Sequence, residues 1–101
     1  MGSKYTIKLY PKAYRDLDRI YQYIYETIQM PEYAQGQLDR LEKGIFSLEE
    51  FPHRGAERKQ GNYGNKGYKE IFVDNYVIIY KVRERKRQVD IITVLYVKRN
   101  L

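Results

Sequence analysis

No cysteine occurs among the 101 residues, so neither a disulfide nor a thiolate ligand or nucleophile is open to this chain. Histidine occurs once, as His53 after Pro52 in a turn, which rules out the usual Cys/His zinc sites and reads as a surface residue. Tryptophan is absent, and tyrosine supplies 12 of the 15 aromatic residues, so most rings carry a polar tip suited to half-buried or interface positions. No apolar run approaches the roughly 20 residues that cross a bilayer, and the N-terminus has no apolar block of the signal-peptide kind. These absences favour a soluble, cytoplasmic protein in a reducing compartment. Met1-Gly2-Ser3 reads as a cloning scar and carries no weight. No GxSxG, Walker-type or GxGxxG motif is present, and the glycine-rich Gln60–Gly67 stretch lies between strands, as a flexible connection.

What the chain does have is segregated positive charge. Residues 54–101 hold 12 Lys/Arg against 5 Asp/Glu, whereas residues 1–53 hold 7 against 8. The net charge of +6 therefore sits entirely on the C-terminal half, where it favours polyanionic or acidic partners.

At this length one domain over residues 1–101 is expected. Residues 5–10 alternate, with Tyr5, Ile7 and Leu9 on one face and Thr6, Lys8 and Tyr10 on the other, predicting a first strand. Pro11 opens a helix to about residue 29 with an apolar stripe of Ala13, Leu17, Ile20, Ile24 and Ile28. Met30-Pro31 ends it and starts a second helix, striped by Ala34, Leu38, Leu41, Ile45 and Leu48. So short a connection forces an antiparallel helical hairpin. Gly36 and Gly44 in the second helix mark either close packing or nothing. After the turn Phe51–Gly55 comes a short edge strand at 56–59, then strands at 68–73 and 76–82 about an Asp74-Asn75 turn, and a last strand at 89–97 whose apolar run fits a central position. The order predicts an α+β fold with both helices on one face of a twisted, mainly antiparallel sheet of four to five strands.

The acidic residues suggest no catalytic pair. Asp16/Asp18 and Glu49/Glu50 read as solvated helix surface. The candidates are basic and aromatic: Arg54, Arg58, Lys59, Lys66, Lys69, the run Arg83/Arg85/Lys86/Arg87, and Tyr96, Lys98 and Arg99. Such a set neutralises phosphates, stabilises a developing phosphorane, or meets an acidic protein segment.

The segments KAYRDLDRIYQYI, PEYAQGQLDRLEKGIFSLEEFPHRG, YKEIFVDNYVIIYKV and VDIITVLYVKRN, in that order and spacing, resemble the RelE/ParE superfamily of toxins from bacterial type II toxin–antitoxin modules. The resemblance implies a compact α-hairpin on an antiparallel sheet, with no cofactor or metal, no small-molecule substrate and no membrane. It also implies a cognate acidic antitoxin whose C-terminal segment wraps the toxin. RelE-like members cut mRNA on the ribosome with a few basic residues and often a terminal aromatic or histidine; ParE-like members poison DNA gyrase. Where RelE-like toxins place an arginine after the strand tyrosine, this chain has Val77 after Tyr76. Lys69 matches one basic position of the preceding strand, but Ile71 stands two residues on. Tyr96 and Arg99 fall where many relatives carry a histidine-and-arginine ending, and tyrosine, with an unperturbed pKa of about 10, is a poor base at neutral pH. The resemblance thus favours a gyrase-directed toxin. The alternatives are an mRNA endonuclease using Lys69, Tyr96, Lys98 and Arg99 with Arg54 or Arg58, and a degenerate module that only binds antitoxin.

Overall fold

The computed structural model describes residues 4–97. Strand β1 (Thr6–Leu9) leads through Tyr10 into helix α1 (Pro11–Ile28), with Pro11 at the first helical position, where its missing N–H removes no helical bond. Gln29 closes α1 in the left-handed conformation (φ 60°), donating its N–H to the Tyr25 carbonyl. Met30 is extended, as a residue before proline must be, and Pro31 starts α2 (Pro31–Phe46). The two helices are therefore an antiparallel hairpin hinged on two residues. A single 3-10 turn (Ser47–Glu49) carries α2 into the Phe51–Gly55 turn.

The remaining chain forms β2 (Ala56–Glu57), β3 (Lys69–Val73), β4 (Tyr76–Arg83) and β5 (Gln88–Tyr96). Sheet order is β1-β5-β4-β3-β2, with β1 parallel to β5 and every other pair antiparallel. Asp74 adopts positive φ (54°) at the β3–β4 turn and Arg87 (48°) at the β4–β5 turn. Tyr80 pairs with Ile91 and Ile79 with Thr93, which leaves Ile92 as a bulged residue of β5.

One face of the sheet, from Ile71, Tyr76, Ile78, Tyr80, Val89, Ile91 and Val94, joins Ala13 and Leu17 of α1 and Leu41, Ile45 and Leu48 in one core. Burial along the α1 stripe fades from Ala13 and Leu17 through half-buried Ile20 and Ile24 to exposed Ile28. The hairpin tip thus loses the sheet as its cover. Tyr80 fixes the start of β2: its hydroxyl donates to the Pro52 carbonyl at 2.9 Å and accepts the Gly55 N–H at 3.1 Å.

The two helical glycines differ. A Cβ on Gly44 would come within 2.8 Å of Val73 Cγ2, so this glycine lets α2 sit down on β3, whereas one on Gly36 meets only the end of Arg40 at 3.5 Å. Gly36→Ala is expected to raise stability by about 0.5–1 kcal/mol through helix propensity, and Gly44→Ala to lower it by about 1–3 kcal/mol through overpacking; urea midpoints of the two variants check both.

One expectation is overturned. Asp16 is not on a solvated helix face; it is 5% exposed. Its Oδ2 accepts the Val94 N–H at 3.0 Å and the Thr93 hydroxyl, and Lys12 donates to both carboxylate oxygens. Asp16 lies between Ala13 and Leu17 on the inward side of α1, and beside the bulge β5 offers it one free backbone N–H and one hydroxyl.

Candidate functional site

The sheet register collects the cations at one end of the molecule. β4 finishes and β5 begins there, at Arg83–Gln88, beside the start of β1, since Thr6 pairs with Gln88. The His53 imidazole meets Glu84, Tyr5 donates its hydroxyl to Glu84 at 2.7 Å, and the guanidinium of Arg87 lies 5.5 Å from the Tyr5 ring centre. The loop from Arg58 to Tyr68 folds back over the same end: Asn65 donates its N–H to the Arg58 carbonyl, and Lys81 sits over the Tyr68 ring at 5.1 Å. Arg54, Arg58, Lys59, Lys66, Lys69, Arg83, Arg85, Lys86 and Arg87, scattered over 34 positions of sequence, thus belong to one basic end, with Lys8 and Lys81 added by the fold.

These cations are not equivalent. Arg58 is tied to Glu70 at 2.8 Å and to the Gln60 carbonyl, and Arg54 donates to Ser47 Oγ. Arg83 pairs with Asp90 at 2.9 Å. Asp90 is 2% exposed. Burial would push its carboxyl up, but hydrogen bonds from Arg83, Gln88 and Tyr10, with the Arg83 charge, outweigh that and hold it below the ordinary aspartate range. The same pair holds Arg83 protonated more firmly still. Arg85 and Lys86 are exposed at the turn, and Lys59 and Lys66 are exposed on the loop.

The opposite end is aromatic. Tyr76 and Tyr96 are cross-strand partners whose rings meet edge to face at 5.7 Å, and Arg19, Ile20 and Tyr23 of α1 close a pocket of about 420 Å³ over them. Tyr23 and Tyr96 are 65% and 66% exposed. Burial, then the neighbouring phenols and Asp74, push the Tyr76 hydroxyl above its usual pKa, so it stays protonated and uncharged. A second hollow of about 590 Å³ runs between the helices, walled by Tyr14, Leu17, Tyr21, Leu38, Ile45 and Phe46.

Of the residues proposed for RNA cleavage, Lys69 and Tyr96 are not brought together. Lys69 pairs with Tyr80 and Tyr96 with Tyr76, which places them four residues apart along β4 and on strands either side of it, roughly 16 Å between backbones at standard strand spacings. Lys98 and Arg99 lie outside the described residues. Val77 is buried, 1% exposed, in the middle strand. Among the described residues there is no group of three or more His, Asp or Glu able to hold a metal ion, and no helix long and apolar enough to cross a membrane. Sequence reasoning missed Lys8, Tyr10, Lys81 and Asp90 at the basic end and Arg19, Tyr23 and Tyr76 at the other. The alternation in residues 5–10 already set Lys8 and Tyr10 on one face; the α1 contribution needed the helix register against β5.

Two helices packed on one face of a mixed five-stranded open sheet match the fold of the RelE/ParE superfamily toxins. Residues 7–101 match the model of the ParE toxin of the type II toxin–antitoxin system parDE, and the chain belongs to that family. It is a toxin of the type II toxin–antitoxin class. The fold is similar to that in the chromosomal ParDE system of P. aeruginosa (TM-score 0.78, 20% identity, 96% of this chain and 100% of that one covered). It is also similar to the RelBE2 toxin–antitoxin complex of Mycobacterium tuberculosis (0.67, 18%, 95% and 94%) and to the isolated E. coli RelE toxin (0.62, 18%, 95% and 87%). No curated protein matches the sequence.

Proposed function

We propose that this chain inhibits growth by binding DNA gyrase, that a cognate antitoxin neutralises it in the cytoplasm, and that it does not cut RNA. The observation that carries this reading is the separation of Lys69 from Tyr96: a phosphoryl-transfer site needs its base and its fixed charges within hydrogen-bond reach of one reacting phosphate, and backbones roughly 16 Å apart meet that need only with both side chains fully extended toward each other, whereas the Tyr96 ring is packed against Tyr76. Two further features support it. Val77 is buried where an RNA-cutting relative is expected to carry arginine, and the Tyr76 phenol, pushed up by burial, stays protonated and is less available as a base at neutral pH than free tyrosine. A toxin without a catalytic centre acts by occupying a surface, and the exposed rings of Tyr14, Tyr23, Tyr25, Tyr33, Phe46 and Tyr96 supply the aromatic contacts in which protein interfaces are rich. The antitoxin belongs to the same reading, since the similar structures include a ParDE toxin–antitoxin system and a RelBE2 toxin–antitoxin complex.

Purified protein is expected to block gyrase supercoiling of relaxed plasmid while leaving ribosome-bound mRNA intact, and co-expression of the antitoxin to restore growth. Cleaved mRNA with untouched supercoiling would refute the assignment.

A further inference from the structure

The basic end is more strongly built than a surface for a protein partner requires. We infer that it binds the phosphate backbone of duplex DNA directly, independently of whether gyrase is the target. Its charge is concentrated: Lys8, Arg83, Arg85 and Lys86 rim a hollow of about 510 Å³ with Tyr10, Gln88, Glu84 and Asp90, Arg87 is exposed in the same turn, and Lys59 and Lys66 are exposed on the 58–68 loop. The two carboxylates of that hollow are already answered. Asp90 is neutralised by Arg83, and Glu84 is held by Tyr5 and His53. Nearby Glu70 is paired with Arg58, and Glu50 lies 3.9 Å from Lys4. Glu49 and Glu57 are the remaining acids of this end. The turn and loop cations Arg85, Lys86, Lys59 and Lys66 are left facing solvent, and no ion pair engages them among the described residues.

Three observations select the partner. Protein interfaces are built on apolar centres depleted of charge, and of the large exposed apolar side chains only Phe51 lies at this end; the others belong to the helices or to the far half of the sheet. Unpaired bases are bound by stacking on several free aromatic rings in succession, but here the tyrosine rings are engaged. Tyr5 is hydrogen-bonded to Glu84 beneath Arg87, Tyr10 is bonded to Asp90 beneath Lys8, and Tyr68 is packed edge-on against Tyr63 beneath Lys81. A cationic surface with no apolar centre and a single exposed ring, Phe51 in the turn before β2, fits a regular array of phosphates better than a run of unpaired bases. The three strands that reach this end, β1, β5 and β4, span roughly 10 Å, along which duplex DNA presents about 6 negative charges, enough to satisfy four or five cations at once.

The test is fluorescence anisotropy of the purified full chain with a labelled duplex of about 25 base pairs between 50 and 200 mM salt. Four neutralised phosphates correspond to a slope of log K against log salt of about −3.6. Arg85→Ser/Lys86→Ser is expected to make the slope shallower by about 1.8 and to weaken binding at least tenfold at 50 mM salt. Arg15→Ser/Lys43→Ser, an equal loss of charge on the helices, is expected to leave the slope unchanged. Circular dichroism melts of both variants establish that they are folded, and Arg85→Glu/Lys86→Glu should abolish binding altogether. Absence of duplex binding at 50 mM salt, equal effects of the two serine pairs, tighter binding to single strands or RNA than to duplex, or binding to acidic protein alone would each overturn the inference. None of these outcomes bears on gyrase inhibition, which the supercoiling assay reads separately.

Discussion

Gly55→Ala is expected to destabilise the protein by about 3 kcal/mol or more, a large share of the roughly 5–15 kcal/mol that holds a domain of this kind folded. A Cβ at this position would lie 2.5 Å from the Glu70 carbonyl oxygen and 2.5 Å from the Tyr80 hydroxyl, with Ile71 Cγ2 at 3.1 Å. The first of these is backbone of β3, bound into the sheet on both sides, and it cannot move without breaking the β2 or β4 ladder. Displacing the chain at residue 55 also breaks the N–H bond to Tyr80, stranding a buried phenol that holds the Pro52 turn as well. Tyr80→Phe isolates that second part and is expected to cost about 1–2 kcal/mol. Urea titration checks both, with the alanine midpoint falling furthest. An alanine variant as stable as the parent would mean that the turn relaxes freely.

Asp16→Ala is the other large effect, expected at about 3–5 kcal/mol, because it leaves the Val94 N–H and the Thr93 hydroxyl without their buried acceptor and separates Lys12 from its charge partner. The pH dependence follows from the direction of the shift. Burial alone would push this carboxyl up, yet hydrogen bonds from Thr93, the Val94 amide and Lys12 together pull it below the ordinary aspartate value. Because the folded state holds the proton less tightly than the unfolded state, the contribution is complete above the unfolded pKa of about 4 and is lost as pH falls through that value toward the depressed one. Asp16→Asn should therefore lose stability at neutral pH and show a flatter decline below about pH 4 than the parent. Denaturant midpoints from pH 7 to pH 3 measure it. Parallel curves would place the acid sensitivity elsewhere, with Asp90 and its Arg83 partner the next group to test.

The helical hairpin was legible because three independent signals agreed: prolines at 11 and 31, stripes at helical spacing, and almost no residues between them. The β3–β4 hairpin was legible from Asp74-Asn75 for the same reason, a local conformation that few residues adopt. Asp16 was not legible. Its two residues of offset from Asp18 hide a rotation of about 200° around the helix, and only the stripe position between Ala13 and Leu17 hinted that one acid faces in. Its partners, Thr93 and Val94, are nearly eighty residues away, and their availability depends on a bulge that no local pattern encodes. The basic end was half legible. Charge counting found the cations, but their convergence required strand order, which sets Gln88 beside Thr6 and the 58–68 loop beside Lys81. The distance between Lys69 and Tyr96 was likewise a matter of register: both sit on strands flanking β4, and composition says nothing about which ends of those strands align.

The parallel pairing of β1 with β5 joins two strands some eighty residues apart, β1 being made well before its partner. Until Gln88–Tyr96 has been synthesised and released, β1 has no ladder partner, Asp16 has no Thr93 to bind, and the apolar stripe of α1 has no completed sheet to close on. A nascent chain that has not yet reached Tyr96 is thus an incomplete fold, and one terminated before that strand remains so. The last strand is thus the keystone of the sheet: losing Gln88–Tyr96 would free the first strand and the buried acid of α1 together.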